Sequence, residues 1–309
     1  MDERMVNFVK NVLSLRGALF ATKQSFRDCF GLKSRPRNDV RLAIIITLTL
    51  MMSACSWFSS SSTNIDPTNL CQLQDLHDDT PPNTAAGSPQ LSQLRVKALQ
   101  DTAMSLSAQG GLAWSSIAIN QNLLKDKWYL ETIYNFNGMM LSHGVIPPVL
   151  EEGDNSLNLA DPNTIRVSDK TYKIVTQARF ATTPPNWRDY LWMTFDKPEI
   201  PQRFLLPRTA SERKVWREAV NKGWEKGVQQ SFSIFQQNLA RLKRDYKGMI
   251  LYRKLLQEKM ISAPYVTRTE LGVTGDGNDM RINDQVLRIT VLPRLQTDST
   301  NWKPIVVPQ

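Results

Sequence analysis

SERKVWREAVNKGWEKGVQQSFSIFQQNLARLKRDYKGMILYRKLLQEKM, residues 211–260, contains no proline and sets Trp216, Val220, Trp224, Val228, Phe232, Phe235, Leu239, Leu242, Tyr246, Met249 and Ile250 three or four positions apart. With 3.6 residues per turn, that spacing draws one apolar stripe along a helix. Unbroken, the helix would reach about 75 Å at about 1.5 Å per residue. That is long for one domain, so a break is expected between Asp245 and Gly248.

The flanking segments are mixed. Downstream, residues 265–295 alternate in the manner of strands, and Gly275-Asp276-Gly277 and Asn283-Asp284 supply turn chemistry, so three strands are expected. Upstream, residues 197–207 are a proline-rich connection, and Thr183-Pro184-Pro185 starts a short helix over 186–193. Residues 164–180 read as a β-hairpin turning at Ser168-Asp169-Lys170, supported by their β-branched content. Residues 143–161, with Gly144, Pro147, Pro148, Gly153 and Asp154-Asn155, exclude a regular helix and suggest extended chain. Two further helices are expected, over 125–140 and over 91–122, the latter bent or broken at Gly110-Gly111. The fold class is α+β: long helices with antiparallel β-hairpins in a single mixed domain over 91–309.

The first ninety residues differ in kind. VRLAIIITLTLMMSAC, residues 40–55, puts a basic residue before about a dozen apolar and Thr residues and ends on small residues before Cys55. That is the layout of a bacterial export signal, too short for the about 18–20 apolar residues of a membrane span. An uncleaved anchor or a buried strand is the competing reading. Ser53-Ala54-Cys55 resembles a lipobox, which makes Cys55 the acceptor of lipid chains and the new N-terminus. Ser56 follows it, where an Asp would favour inner-membrane retention, so the outer membrane is expected. SSSSTNIDPTNL and DDTPPNTAAGSPQ have linker composition. The domains are thus a leader and signal (1–54), a flexible tether (55–90) and a periplasmic domain (91–309). Residues 1–39 form either a basic amphipathic helix or an extension ahead of a true start at Val40.

The net charge is +9, but nine Lys and Arg against four Asp and Glu precede Cys55, which leaves about +4 in the mature part. Such a balance argues weakly for nucleic acid. Cys29 lies in the leader and Cys55 takes lipid, leaving Cys71 alone and no internal disulfide in the mature chain. His77 and His143 are the only histidines, and no Cys/His cluster has metal spacing. No cofactor is expected. Gly275-Asp276-Gly277-Asn278-Asp279 offers hard oxygen ligands for calcium, yet its spacing is not that of an EF-hand and it serves equally as a turn. GVTGDG lacks the Lys-Ser/Thr and helix of a phosphate loop. Glu151, Glu152, Asp154 and Asp161 crowd one segment without a reason to face each other. No motif for a nucleophile elbow or a zinc protease is present.

Surfaces are the better candidates. Arg241, Lys243, Arg244, Lys247, Arg253 and Lys254 form a basic patch that meets phosphates, an acidic partner or only solvent. Trp187 and Trp192, within NWRDYLW, suit an interface anchor or an ordinary core. Gly223 and Gly227 let a helix approach closely, within this chain or from another.

Four strings carry a resemblance: RVKALQDTAMSLSAQGGLAW, EEGDNSLNLADPNTIRVSDKTYKIVTQARFATTPPNWRDYLW, RDYKGMILYRKLL and ELGVTGDGNDMRINDQVLRIT. From Arg95 to near the C-terminus the chain resembles the DotC family of Dot/Icm, or type IVB, secretion systems. The resemblance implies an outer-membrane lipoprotein of the secretion core complex, without enzymatic activity. It implies as partners a DotD-like lipoprotein, a DotH-like outer-membrane component, and DotF-like and DotG-like channel components in a multimeric ring. The competing classes are an envelope enzyme such as a cell-wall hydrolase and a nucleic-acid-binding envelope protein.

Overall fold

The computed structural model describes residues 65–79 and 89–303. Cys29, the export signal, Val40 and Cys55 lie outside the described residues. The architecture is α+β, as expected. The helices are α1 (Leu70–Gln74), α2 (Pro89–Lys125), α3 (Lys127–Ile133), α4 (Trp187–Leu191) and α5 (Ala210–Gln257). The strands are β1 (Val145–Ile146), β2 (Val149–Asp161), β3 (Thr164–Thr176), β4 (Arg179–Phe180), β5 (Tyr265–Gly275) and β6 (Met280–Val291). They form three two-stranded antiparallel sheets, β1-β4, β2-β3 and β5-β6. The described chain divides into two compact units: residues up to Ile119 with Thr194–Phe232, and Asn120–Met193 with the residues from Ser233 on.

Both expected helix breaks are absent. α5 runs 48 residues through Asp245 and Gly248, and α2 runs 37 residues through Gly110-Gly111. The glycines serve close packing instead. A Cβ on Gly248 would stand 2.6 Å from the Leu150 carbonyl oxygen, and one on Gly111 2.7 Å from that of Trp224. The penalty of about 1 kcal/mol for a helical glycine is thus offset by backbone contact that any side chain would block.

In the first unit Leu73, Leu76, Leu99, Ala103, Leu106, Leu206, Trp216, Ala219 and Val220 form one core. The Trp216 indole donates to the Leu73 carbonyl at 2.8 Å. Residues 65–79, expected within the tether, contribute to this core: Leu73 and Leu76 are buried, and partly buried Ile65 and Leu70 pack against it. Cys71 is disulfide-bonded, which corrects the expectation that it stands alone. Gly223 and Gly227 face the backbone of Met104 and Ala108, so their spacing is used within the chain. Thr209 and Glu212 cap α5 reciprocally: the Thr209 hydroxyl accepts from the Glu212 N–H at 3.2 Å, and Glu212 accepts from the Thr209 N–H at 3.4 Å. Glu212 also takes the Arg95 guanidinium at 2.6 Å. Burial pushes its carboxyl upward, but the Arg95 bond and charge and the N–H groups of Arg208 and Thr209 hold it below the usual glutamate range.

In the second unit Leu150, Tyr252, Leu255 and Ile261 are the buried centre, with Tyr172, Ile174, Met260 and Leu295 packed around them. The helix expected over 125–140 is only α3, followed by a 3₁₀ turn at Asn137–Met139. The first hairpin turns at Pro162-Asn163, not at Ser168-Asp169-Lys170, which lies inside β3. The Asp161 carboxylate accepts from the Asn163 N–H at 2.8 Å, the Asx geometry that makes Asp-Pro-Asn a strong turn. The second hairpin has two strands rather than three. Asn283-Asp284 does not turn the chain but sits opposite Gly272 at a register irregularity, where Gly272 and Asn283 both have positive φ.

Candidate interaction surfaces

The residues proposed as an interface lie in the second unit, and the structure separates them. Asn186 opens α4 with a capping box: its side chain accepts from the Arg188 N–H at 3.2 Å, and Asp189 accepts from the Asn186 N–H at 2.8 Å. The cap turns Trp187 inward. It is 1% exposed, with the Arg188 guanidinium 4.3 Å above its ring, so it is core and not an anchor. Trp192, beyond the last turn, is 41% exposed.

Tyr190 joins α4 to α5. Its ring stacks on Phe136 at 5.8 Å, and Arg241 lies 5.1 Å from its centroid. Burial, and then the Asp245 charge and hydrogen bond, push the phenol up to about 12. Arg244 is tied down differently, donating to Asp245 at 2.9 and 3.0 Å and standing 3.8 Å from Glu151. Arg241, Tyr190, Asp189, Asp245, Arg179 and Pro185 line an open cleft of about 370 Å³. Lys247, Arg253 and Lys254 are exposed farther along α5.

The other candidates are occupied locally. Glu151, Glu152 and Asp154 lie along β2 and not in a loop. Glu152 accepts from Lys170 at 2.8 Å and from Tyr172 at 3.1 Å, and the Lys170 bond holds its carboxyl below the usual range. Asp276 accepts from the N–H groups of Asn278 at 2.8 Å and Asp279 at 3.0 Å, so that carboxylate closes the turn between β5 and β6.

What the residue patterns did not single out is the far half of each hairpin. Leu157 stands opposite Val167 and Leu159 opposite Ile165, and all four are 60–72% exposed. On the second hairpin Val273, Met280 and Ile282 are 65–69% exposed and Leu271 48%. The signal was present as strict alternation on both sides of Asp-Pro-Asn, but alternation is ordinarily read as one face buried. These exposed apolar pairs are the candidate contact surface. No curated protein matches the chain. Residues 93–304, more than half of the 309, match the family model described as type IV secretory system, conjugal DNA-protein transfer, and the chain belongs to that family.

Proposed function

We propose that the chain is a structural subunit of the outer-membrane core complex of a type IVB (Dot/Icm) secretion or conjugation system, a lipoprotein of the DotC kind. Family membership across nearly all of the described chain carries this reading. The hairpin tips support it, because a subunit that works by contact needs apolar surface that its own core leaves open. In this reading the protein has no catalytic role. Cys55 carries the lipid that holds it at the outer membrane on the periplasmic side. DotD-like, DotH-like, DotF-like and DotG-like components are its neighbours, and the exposed Trp192 and Arg241 supply further contact surface.

The test is acylation combined with transfer. Cys55→Ser should lose palmitate labelling, leave the outer-membrane fraction and abolish substrate transfer in the organism that encodes it. Labelling that persists would end the lipoprotein assignment, and transfer unaffected by deletion of the gene would end the assembly reading. A thiol count sharpens the result. One sulfur cannot carry a lipid and a disulfide at once. Acylation of Cys55 and a disulfide at Cys55 are therefore exclusive, and the non-reducing mass of the mature protein separates them.

A further inference from the structure

We propose that the β2-β3 hairpin couples copies of this chain edge to edge, the open edge of β2 in one copy pairing with the open edge of β3 in the next. This rests on the assembly reading above and adds to it the partner and the geometry.

β2 and β3 form a sheet of two strands, joined by no third among the described residues. In such a sheet each strand turns half of its N–H and C=O groups away from its partner, a ready template for another strand. The base of the hairpin is anchored, since Leu150, Tyr172 and Ile174 pack in the core of the second unit. Beyond Gly153 and Thr171 the described side chains are exposed, apart from half-buried Ser156 and Ser168. A hairpin on its own is marginally stable in water, whereas three or more strands with an apolar face are not. Pairing in series would supply those strands and merge Leu157, Leu159, Ile165 and Val167 of successive copies into one apolar band.

Charge selects the partner edge. β2 carries Glu151, Glu152, Asp154 and Asp161 and no base, while β3 carries Arg166, Lys170 and Lys173 against Asp169 alone. Pairing β2 with β2 sets carboxylates beside carboxylates, and pairing β3 with β3 sets bases beside bases. Pairing β2 with β3 between copies sets opposite charges together, the favourable arrangement for neighbouring strands. The two edges lie on opposite sides of one hairpin, so the contact is head-to-tail and propagates from copy to copy, closing into a ring where the rotation allows. The β5-β6 hairpin lacks this polarity: β5 has Arg268 and Glu270, and β6 has Arg281 and Arg288 against Asp284.

Sedimentation velocity of the full-length chain in detergent, over a concentration series at low salt, tests the idea with two exchanged pairs. Asp154→Lys with Asn158→Lys makes the β2 edge basic, and Arg166→Glu with Lys170→Glu makes the β3 edge acidic. These positions face each other in the hairpin, Asp154 with Lys170 and Asn158 with Arg166. The natural chain should associate as concentration rises, and each double variant alone should associate about tenfold more weakly or worse. An equimolar mixture of the two should recover association, because every interchain edge then meets its opposite, while the like charges that face each other inside each hairpin are the same as in that variant alone. A natural chain that stays monomeric, double variants that associate as the natural chain does, or a mixture that fails to recover would each overturn the inference. If edge pairing fails while gene deletion still abolishes transfer, only the inference falls; if pairing holds and deletion leaves transfer intact, only the assembly reading falls.

Discussion

Glu212 concentrates more of the fold than any other single carboxylate described here, closing the α5 cap and clamping Arg95 of α2. Its folded-state carboxyl titrates below the ordinary glutamate range. A depressed acid contributes stability that is fully present above its unfolded value of about 4.5 and is lost as pH falls through the folded value. Glu212→Gln should therefore lower the unfolding free energy by about 1–2 kcal/mol at pH 7, discounted for the part-exposed Arg95. The gap between variant and natural chain should shrink toward zero as pH drops below 4.5, which urea titrations across that range would show. A gap that did not depend on pH would mean that the pair contributes shape and not charge. The capping pattern, a Thr followed three residues later by Glu, is legible in the sequence. Arg95 as the partner is not, because 117 residues separate the two.

At the scale of elements, the long helix was readable because its stripe holds a 3.6 period over fifty residues without a proline. Its continuity was not readable, since a glycine that weakens a helix and one that admits a neighbouring strand are the same letter. The hairpins failed in a related way. Ser-Asp-Lys and Asn-Asp are plausible turns locally, but pairing over 13 residues on each side of the first hairpin, and over 11 and 12 in the second, outweighs them, and the turns fall at Asp-Pro-Asn and at Asp276-Gly277-Asn278-Asp279. The resulting split between anchored base and open tip predicts unequal sensitivities. Leu150→Ala, in the core, should cost about 2–5 kcal/mol. Leu157→Ser with Val167→Ser, at the tip, should change the stability of the isolated chain by about 0.5 kcal/mol or less. Thermal unfolding of both variants checks this, and a tip variant that melts like the core variant would show that the tip is covered within the chain.

At the scale of the molecule, each compact unit is assembled from two stretches of chain, and the stretches alternate along the sequence. Family strings revealed what kind of system the protein serves, but no periodicity announces that residues 194–232 complete what the chain begins before Ile119. The alternation governs the order in which the protein can mature. A polypeptide delivered N-terminus first has, at Met193, the opening part of both units and the whole of neither. Apolar faces such as Leu99 and Leu106 then wait for Trp216 and Val220, and Leu150 waits for Tyr252. Chains terminated at residue 193 should accordingly be cleaved rapidly by a dilute protease, and chains terminated at 303 should resist it. A stable 193-residue fragment would show that the first stretches hold together unaided. Until the last quarter of the chain has arrived, the nascent protein is a client for whatever shields exposed apolar surface on its route, and its residence with that escort is set by its topology rather than by its length.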